Sequence, residues 1–164
     1  MFKILVTDGG YSHSLAIIRS LKKLGHQVDC IGHSKCLSSF SSSLNKVSYS
    51  QSLFNSQNIK KFIYLLEKEQ YDYLIPIGAN SVYLVNKFRV EISKRVIINL
   101  ASPESISTCL SKNKLLEISK EIGIKIPKIY KEKDLQKIRK NDNTLKRKLV
   151  IKPTSELFNK KVIY

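Results

Sequence analysis

The feature that most constrains the fold of this chain is a short apolar run followed at once by a pair of glycines. The run covers residues 2–7, and Gly9 and Gly10 come next. An amphipathic helix is then predicted over residues 12–24, and residues 28–31 form a second apolar run. A strand, a helix and a strand in this order predict a parallel α/β sheet with right-handed crossovers.

The alternation of helices and strands continues to about residue 100. Helices are predicted near 59–70 and 81–92, and strands at 73–77 and 96–100. Residues 34–58 interrupt the pattern, since they contain ten serines and are predicted to be a polar loop. Residues 1–100 are therefore predicted to form a doubly wound, Rossmann-like domain with about four strands and three helices.

The character of the sequence changes after Leu100. Ser102 and Pro103 are typical of a helix start, and Gly123 is placed to end the helical region. A short polar helix is expected at 132–140, a strand at 149–153 and the start of another at 162–164. Residues 101–164 are therefore expected to be the incomplete beginning of a second, α+β unit.

Composition excludes several classes of protein. The chain is 42% apolar and 26% charged, which is a globular balance, and no stretch approaches the length needed to cross a membrane. Its N-terminus lacks the pattern of a signal peptide. The three cysteines, Cys30, Cys36 and Cys109, contain no C-x-x-C pair, so a reducing, cytoplasmic location is expected and no metal site is predicted.

The net charge of +16 comes from 29 Lys and Arg against 13 Asp and Glu. Such an excess attracts polyanions, but it is spread along the chain and is denser in the last third. A general lysine bias and a functional polyanion surface both explain it. Nucleic acid is the less favoured partner, because basic residues and aromatic residues do not interleave in a recognisable motif.

The loop Asp8-Gly9-Gly10-Tyr11-Ser12 is the first candidate site. It joins the first strand to the first helix, where free N–H groups can bind an anion at the carboxyl end of a parallel strand. The third glycine of a dinucleotide fingerprint is missing and no acidic residue ends the second strand, so NAD is disfavoured. The alternative is a glycine turn that only permits close packing.

Two lysines are the second candidate site. Lys112 opens a predicted helix, and Lys152 lies in the predicted strand Val-Ile-Lys-Pro. Together they could bracket a polyphosphate, since lysine acts as a mobile point charge. Taken singly, each lysine is better explained as a solvated surface charge.

The order of these motifs resembles the N-terminal part of the ATP-grasp superfamily. The motifs are the strand, glycine pair and helix, then Leu74–Gly78, Ser102-Pro103-Glu104, Ser111–Leu116, Gly123–Pro127 and Val150–Pro153. Residues 1–100 resemble the preATP-grasp domain of carbamoyl phosphate synthetase-like enzymes and carboxylate–amine ligases. Residues 101–164 resemble the opening of the ATP-grasp fold.

The resemblance implies ATP-dependent ligation of a carboxylate to an amine through an acyl phosphate. Lys112 and Lys152 match family residues that contact nucleotide phosphates, while Ser111 stands where the family has an acidic residue. The family's phosphate loop matches residues 154–161, which contain no glycine. Its magnesium-binding Glu and Asn would follow residue 164, so no metal site is assigned. The expectation is nucleotide binding at most, with no turnover by this chain alone.

Two other functions are kept as alternatives to the ligase. One is a basic nucleic-acid-binding module, motivated by the charge. The other is a Rossmann-like scaffold that docks with a second chain or with a missing C-terminal domain. In that scaffold, residues 162–164 would provide an unpaired strand edge.

Overall fold

The structure of the chain is a computed structural model, which describes residues 1–33, 35–49 and 57–130. The chain divides into two compact units, Met1–Ile106 and Ser107–Tyr164. All strands of the described ranges lie in the first unit.

Five parallel strands form one sheet in the first unit, in the order β3-β2-β1-β4-β5. They are β1 (Lys3–Val6), β2 (Gln27–Gly32), β3 (Lys46–Tyr49), β4 (Tyr73–Ile75) and β5 (Ile97–Ile98). Within the central strand β1, Leu5 is in register with Asp29 of β2 on one side and with Leu74 of β4 on the other. The continuous apolar run of β1 suits this position, because a central parallel strand is covered on both faces. The predicted Rossmann-like α/β sheet is confirmed.

The helices alternate with these strands, as predicted. They are α1 (Ser12–Lys23), a 3-10 turn at Leu37–Phe40, α2 (Ile59–Glu69), α3 (Ala79–Lys87), α4 (Arg89–Ser93), α5 (Pro103–Cys109) and α6 (Lys112–Glu121). Helix α1 ends as the sequence predicts, because Gly25 takes the left-handed conformation, with a φ of +83°. The N–H of Gly25 donates to the carbonyl of Lys22 at 3.0 Å, which satisfies one of the last helical carbonyls.

Two apolar clusters hold helices on the two faces of the sheet. Ile4, Val6 and Val28 pack with Ile18 of α1 on one face. The other face carries Leu5, Ile31 and Leu74 together with buried residues of the later helices, which are Ile59, Phe62 and Leu66 of α2, Leu84 and Val85 of α3, and Ile92 of α4. Alternate residues of one strand therefore serve two cores, as in a doubly wound fold.

Three predictions about individual elements were wrong. The segment 34–58, predicted as a loop, contains the 3-10 turn and the edge strand β3, so the sheet has five strands rather than four. Strand β3 is Lys-Val-Ser-Tyr, which has no apolar run to mark it.

The strand predicted at 73–77 ends at Ile75, directly before Pro76, because proline cannot donate to a sheet ladder. The helix predicted at 81–92 is two helices, since Phe88 leaves helical geometry with a ψ of +29°.

Polar side chains define the starts of the last two described helices. The side chain of Ser102 accepts from the N–H of Ser105 at 3.2 Å, and Pro103 follows as the first residue of α5. Ser111 caps α6 in the same way through the N–H of Lys114. Gly123, with a φ of +78°, follows the end of α6. The predicted elements at 132–140, 149–153 and 162–164 lie outside the described residues.

Within the described residues, no helix is both long enough and apolar enough to cross a membrane.

Candidate ligand-binding crevice

The strand order creates a crevice at the carboxyl end of the sheet. From β1 the chain continues through α1 to β2 on one side, whereas β4, on the other side of β1, continues into α3. The loops that follow β1 and β4 therefore diverge, and in open α/β sheets ligands bind where neighbouring loops diverge in this way. The sequence-predicted loop Asp8–Ser12 is one wall of this crevice.

Side chains from the β1 loop hold the β4 loop through its backbone. The Oγ1 atom of Thr7 accepts a hydrogen bond from the N–H of Ile77 at 3.0 Å. The Oδ2 atom of Asp8 accepts one from the N–H of Gly78 at 2.8 Å and another from the hydroxyl of Thr7. This group of contacts, called the loop clamp below, joins segments that are 70 residues apart in sequence.

A buried serine of α1 also fixes the β1 loop. Ser14 donates from its hydroxyl to the carbonyl of Asp8 at 2.8 Å and lies 3.3 Å from the carbonyl of Thr7. Asp8 itself has a φ of +57°, a conformation that Asp and Asn tolerate better than most residues. The carboxylate of Asp8 therefore organises the loops.

Close packing constrains two of the glycines at the crevice, Gly9 and Gly78. A β-carbon on Gly9 would lie 2.6 Å from the sulfur of Cys30, and one on Gly78 would lie 3.0 Å from Oδ1 of Asp8. The first distance is shorter than real β-carbon contacts and the second is unusually tight, so a side chain at either position would require its neighbour to shift. Gly10 differs, because a β-carbon there would meet nothing within 4 Å. The packing explanation for the glycine pair therefore applies to Gly9.

The crevice is a small pocket of about 100 Å³. Its lining residues come from the ends of β1 and β2 and from the first turn of α3, and they are Asp8, Gly9, Gly10, Tyr11, Ile31, Gly32, His33 and Ser81. Neither lysine nor arginine is among them. Helices α1 and α3 both begin beside this pocket without a side-chain cap, so their first N–H groups provide partial positive charge there.

Two buried cysteines lie beneath the β1 loop. The sulfurs of Cys30 and Cys36 flank Gly9, and neither forms a disulfide. Burial, followed by the proximity of Cys36 and of Asp8, raises the pKa of Cys30 to about 12. The Cys30 thiol is therefore protonated at neutral pH and is a poor nucleophile or metal ligand. Within the described ranges, His, Cys, Asp and Glu do not form a group of three that could hold a metal ion, so no step is assigned to magnesium.

The second sequence-predicted site is only partly described. Lys112 is the first residue of α6 and is half-buried. Ser111, which replaces the acidic residue of the family, has a structural role as the cap of that helix. Lys152 and the loop 154–161 lie outside the described residues, so their proposed contacts with nucleotide phosphates stay predictions.

Sequence reasoning missed several residues of the crevice. Thr7 directly precedes the predicted loop, and Ile77 and Gly78 end the motif Leu74–Gly78, but the sequence does not predict that these two segments meet. Ser81 was taken only as the start of a predicted helix. The available signal was Gly78, since a glycine after a buried strand and before a helix is typical of a ligand-binding turn in parallel sheets.

Comparison with known proteins identifies the fold. Neither a protein-family model nor a curated protein sequence matches the chain. Among solved structures, the N5-carboxyaminoimidazole synthetase of Staphylococcus aureus has a TM-score of 0.61 at 15% identity, over 99% of this chain and 40% of its own. The L-amino acid ligase of Bacillus licheniformis has a TM-score of 0.60 at 14% identity, over 95% of this chain and 37% of its own.

A third solved structure is the carboxyaminoimidazole ribonucleotide synthase of Aspergillus clavatus, complexed with ATP. Its TM-score is 0.59 at 16% identity, over 96% of this chain and 39% of its own. These neighbours are ATP-grasp enzymes, so the chain has the fold of the N-terminal part of such enzymes. The resemblance seen in the sequence is confirmed at the level of fold. The chain spans less than half the length of each of these three proteins.

Proposed function

We propose that this chain forms the N-terminal part of an ATP-grasp ligase, with the crevice as a binding site for substrate. The observation that carries the proposal is the position of the crevice, between the diverging loops of β1 and β4 in a fold shared with ATP-grasp enzymes. The parent reaction is ligation of a carboxylate to an amine through an acyl phosphate. The loop Asp8–Ser12 contributes a wall of the site. The first N–H groups of α1, which no side chain caps, support the binding of an anionic group by this loop.

ATP is the proposed nucleotide, with phosphate contacts from Lys112 and Lys152. Support comes from the solved neighbour complexed with ATP and from the two lysine motifs of the sequence. The chain spans only 37 to 40% of the three solved neighbours named above. We therefore propose that these 164 residues bind nucleotide without turnover, and that catalysis requires a further domain or a partner chain. The free cysteines are consistent with a cytoplasmic location.

Titration with a fluorescent ATP analogue tests the nucleotide site. Lys112→Ala and Lys152→Ala are each expected to weaken binding about tenfold, since each removes one charged phosphate contact. Lys120→Ala is the matched control, because Lys120 is an exposed lysine in the last turn of α6. Equal losses in all three variants would indicate binding by general positive charge. Release of ADP at enzyme-like rates by the purified chain would contradict the absence of turnover.

The charge of +16 leaves nucleic acid as a second candidate ligand. Binding to duplex or single-stranded probes would then weaken steeply with salt, because lysines that neutralise phosphates release counterions. Failure to bind such probes at low salt would reject this candidate.

A further inference from the structure

Two cysteine sulfurs lie close together beneath the first loop of the crevice. Both are within 3.0 Å of the position that a β-carbon of Gly9 would occupy, and both residues are free thiols. Cys30 belongs to β2, whereas Cys36 follows a turn in which its N–H donates to the carbonyl of His33 at 3.0 Å. Two thiols that approach the same point meet the first requirement for an intramolecular disulfide.

The crevice brings a small oxidant close to one of these sulfurs. Cys30 is completely buried, while Cys36 is 6% exposed. Gly32 lines the crevice, and a β-carbon on it would lie 2.9 Å from the sulfur of Cys36. This sulfur therefore lies directly behind a wall residue that has no side chain. The crevice, with a volume of about 100 Å³, admits a molecule of a few heavy atoms such as hydrogen peroxide.

A buried hydroxyl lies beside the second sulfur. Ser38 is completely buried, and its Oγ atom has no hydrogen-bond partner among the described residues. Burial is the main cause of the raised pKa of Cys30, and the proximity of the Ser38 hydroxyl opposes it. A buried hydroxyl without a partner costs free energy, and it is available to donate to a sulfur that acquires negative charge.

We propose that Cys30 and Cys36 form a reversible redox pair that hydrogen peroxide oxidises to a disulfide. The Cys36 thiolate attacks one peroxide oxygen, the O–O bond breaks, and the other oxygen leaves as hydroxide and is protonated to water. Cys36 is thereby oxidised to a sulfenic acid, and the peroxide is reduced. The sulfur of Cys30 then attacks that of Cys36, the S–O bond breaks, and the hydroxide leaves as water with the proton of Cys30. A small thiol reverses the reaction by exchange.

The disulfide changes the crevice because Gly9 is fixed between the two sulfurs and the β1 loop. The N–H of Gly9 donates to the carbonyl of Ile31 at 2.9 Å, and its carbonyl accepts from the N–H of Ser38 at 2.9 Å. Bonding of the sulfurs requires them to move toward each other beside this residue. The movement passes to Gly9 and Gly32, which both line the crevice. The inference does not depend on which ligand the crevice binds.

Oxidation of the full chain with hydrogen peroxide tests the inference, in a Cys109→Ser background that removes the exposed thiol. Peptide mapping is expected to find a disulfide between Cys30 and Cys36 that dithiothreitol reverses. Cys30→Ser is expected to retain a sulfenic acid at Cys36, detected as a dimedone adduct, whereas Cys36→Ser forms none at Cys30. Ser38→Ala is expected to slow disulfide formation about tenfold, the effect of one hydrogen bond to a charged sulfur. Ser20→Ala, at an exposed position of α1, is the control.

NMR of the ¹⁵N-labelled chain measures the change of the crevice. Oxidation is expected to shift the N–H signals of Gly9, Gly10 and Gly32 and to leave those of α2, on the other face of the sheet, unchanged. Dispersed spectra of the reduced form establish that each variant is folded. A native chain that stays reduced, or that forms the disulfide only in urea, would overturn the redox pair. A disulfide that leaves the signals of Gly9 and Gly32 unchanged would overturn its coupling to the crevice.

Discussion

The carboxylate of Asp8 accepts a hydrogen bond of 2.8 Å from the backbone N–H of Gly78. The two residues follow the neighbouring parallel strands β1 and β4, at the carboxyl end of the sheet where the crevice lies. One side chain of the first loop therefore fixes the backbone of the second loop. The contribution of this hydrogen bond to the free energy of unfolding can be measured by substitution of Asp8.

Removing the Asp8 carboxylate is expected to destabilise the fold. Asp8→Ala leaves the N–H of Gly78 and the hydroxyl of Thr7 without their acceptor, and each partly buried group left unpaired costs about 1–3 kcal/mol. We expect the free energy of unfolding to fall by about 2 kcal/mol in urea denaturation. Asp8→Asn is the control, since asparagine retains an acceptor oxygen and tolerates a positive φ. Equal losses in both variants would contradict a role for the hydrogen bond itself.

The neighbouring glycines 9 and 10 are expected to respond differently to substitution. Gly9→Ala places a methyl group 2.6 Å from the sulfur of Cys30 and 3.0 Å from that of Cys36. Overpacking of this kind costs roughly 1–3 kcal/mol, which thermal or urea unfolding would detect. Gly10→Ala meets open space and is expected to change stability by less than about 0.5 kcal/mol. A comparable loss at both positions would show that backbone conformation, and not the sulfur atoms, requires glycine.

The Cys30 thiol is expected to make stability depend on pH above its ordinary pKa of 9.0. Burial raises the pKa of Cys30 in the folded chain to about 12. Between these values the unfolded chain has released the proton while the folded chain holds it, so the free energy of unfolding falls as pH rises. The wild-type advantage over Cys30→Ala is therefore expected to shrink from pH 9 to pH 12, measured by urea denaturation. An advantage that stays constant across this window would contradict the raised pKa.

Reactivity of the three cysteines provides a second readout. Cys109 is exposed, whereas Cys30 and Cys36 are buried. A thiol-specific reagent at pH 8 is expected to label Cys109 rapidly, and Cys30 and Cys36 only after unfolding. Mass spectrometry of the labelled protein identifies the sites. Rapid labelling of Cys30 under native conditions would show that the β1 loop opens readily.

Glu69 is expected to titrate below its ordinary pKa of 4.5. Hydrogen bonding to Lys3, whose Nζ lies 3.0 Å from Oε2, is the main cause of the lowered pKa, and Lys46 adds a second contact at 3.3 Å. The stabilisation is present above pH 4.5 and is lost as pH falls through the lowered pKa. Lys3→Met is expected to return the NMR-measured pKa of Glu69 toward 4.5, with a stability loss below about 1 kcal/mol. Lys60→Met, at an exposed position in α2, is the control.

The sequence predicts most of the sheet because most of its strands are short apolar runs that end near glycine or proline. β1 and α1 could be located to within about two residues from the pattern of Ile4–Val6, the glycine pair and Gly25. β3 could not be located, since an edge strand buries too little surface to require an apolar run. The loop clamp was not predictable either, because Thr7 and Gly78 become neighbours only through the pairing of strands that are distant in sequence.

The loop clamp also determines when the crevice can form during folding. Its two halves are separated by 70 residues, and they meet only after β4 has paired with β1. Contacts this distant in sequence carry a loop-closure cost and form slowly. A ligand of the crevice would therefore bind the assembled sheet and not its precursors, and by mass action it would slow unfolding of the first unit as a whole.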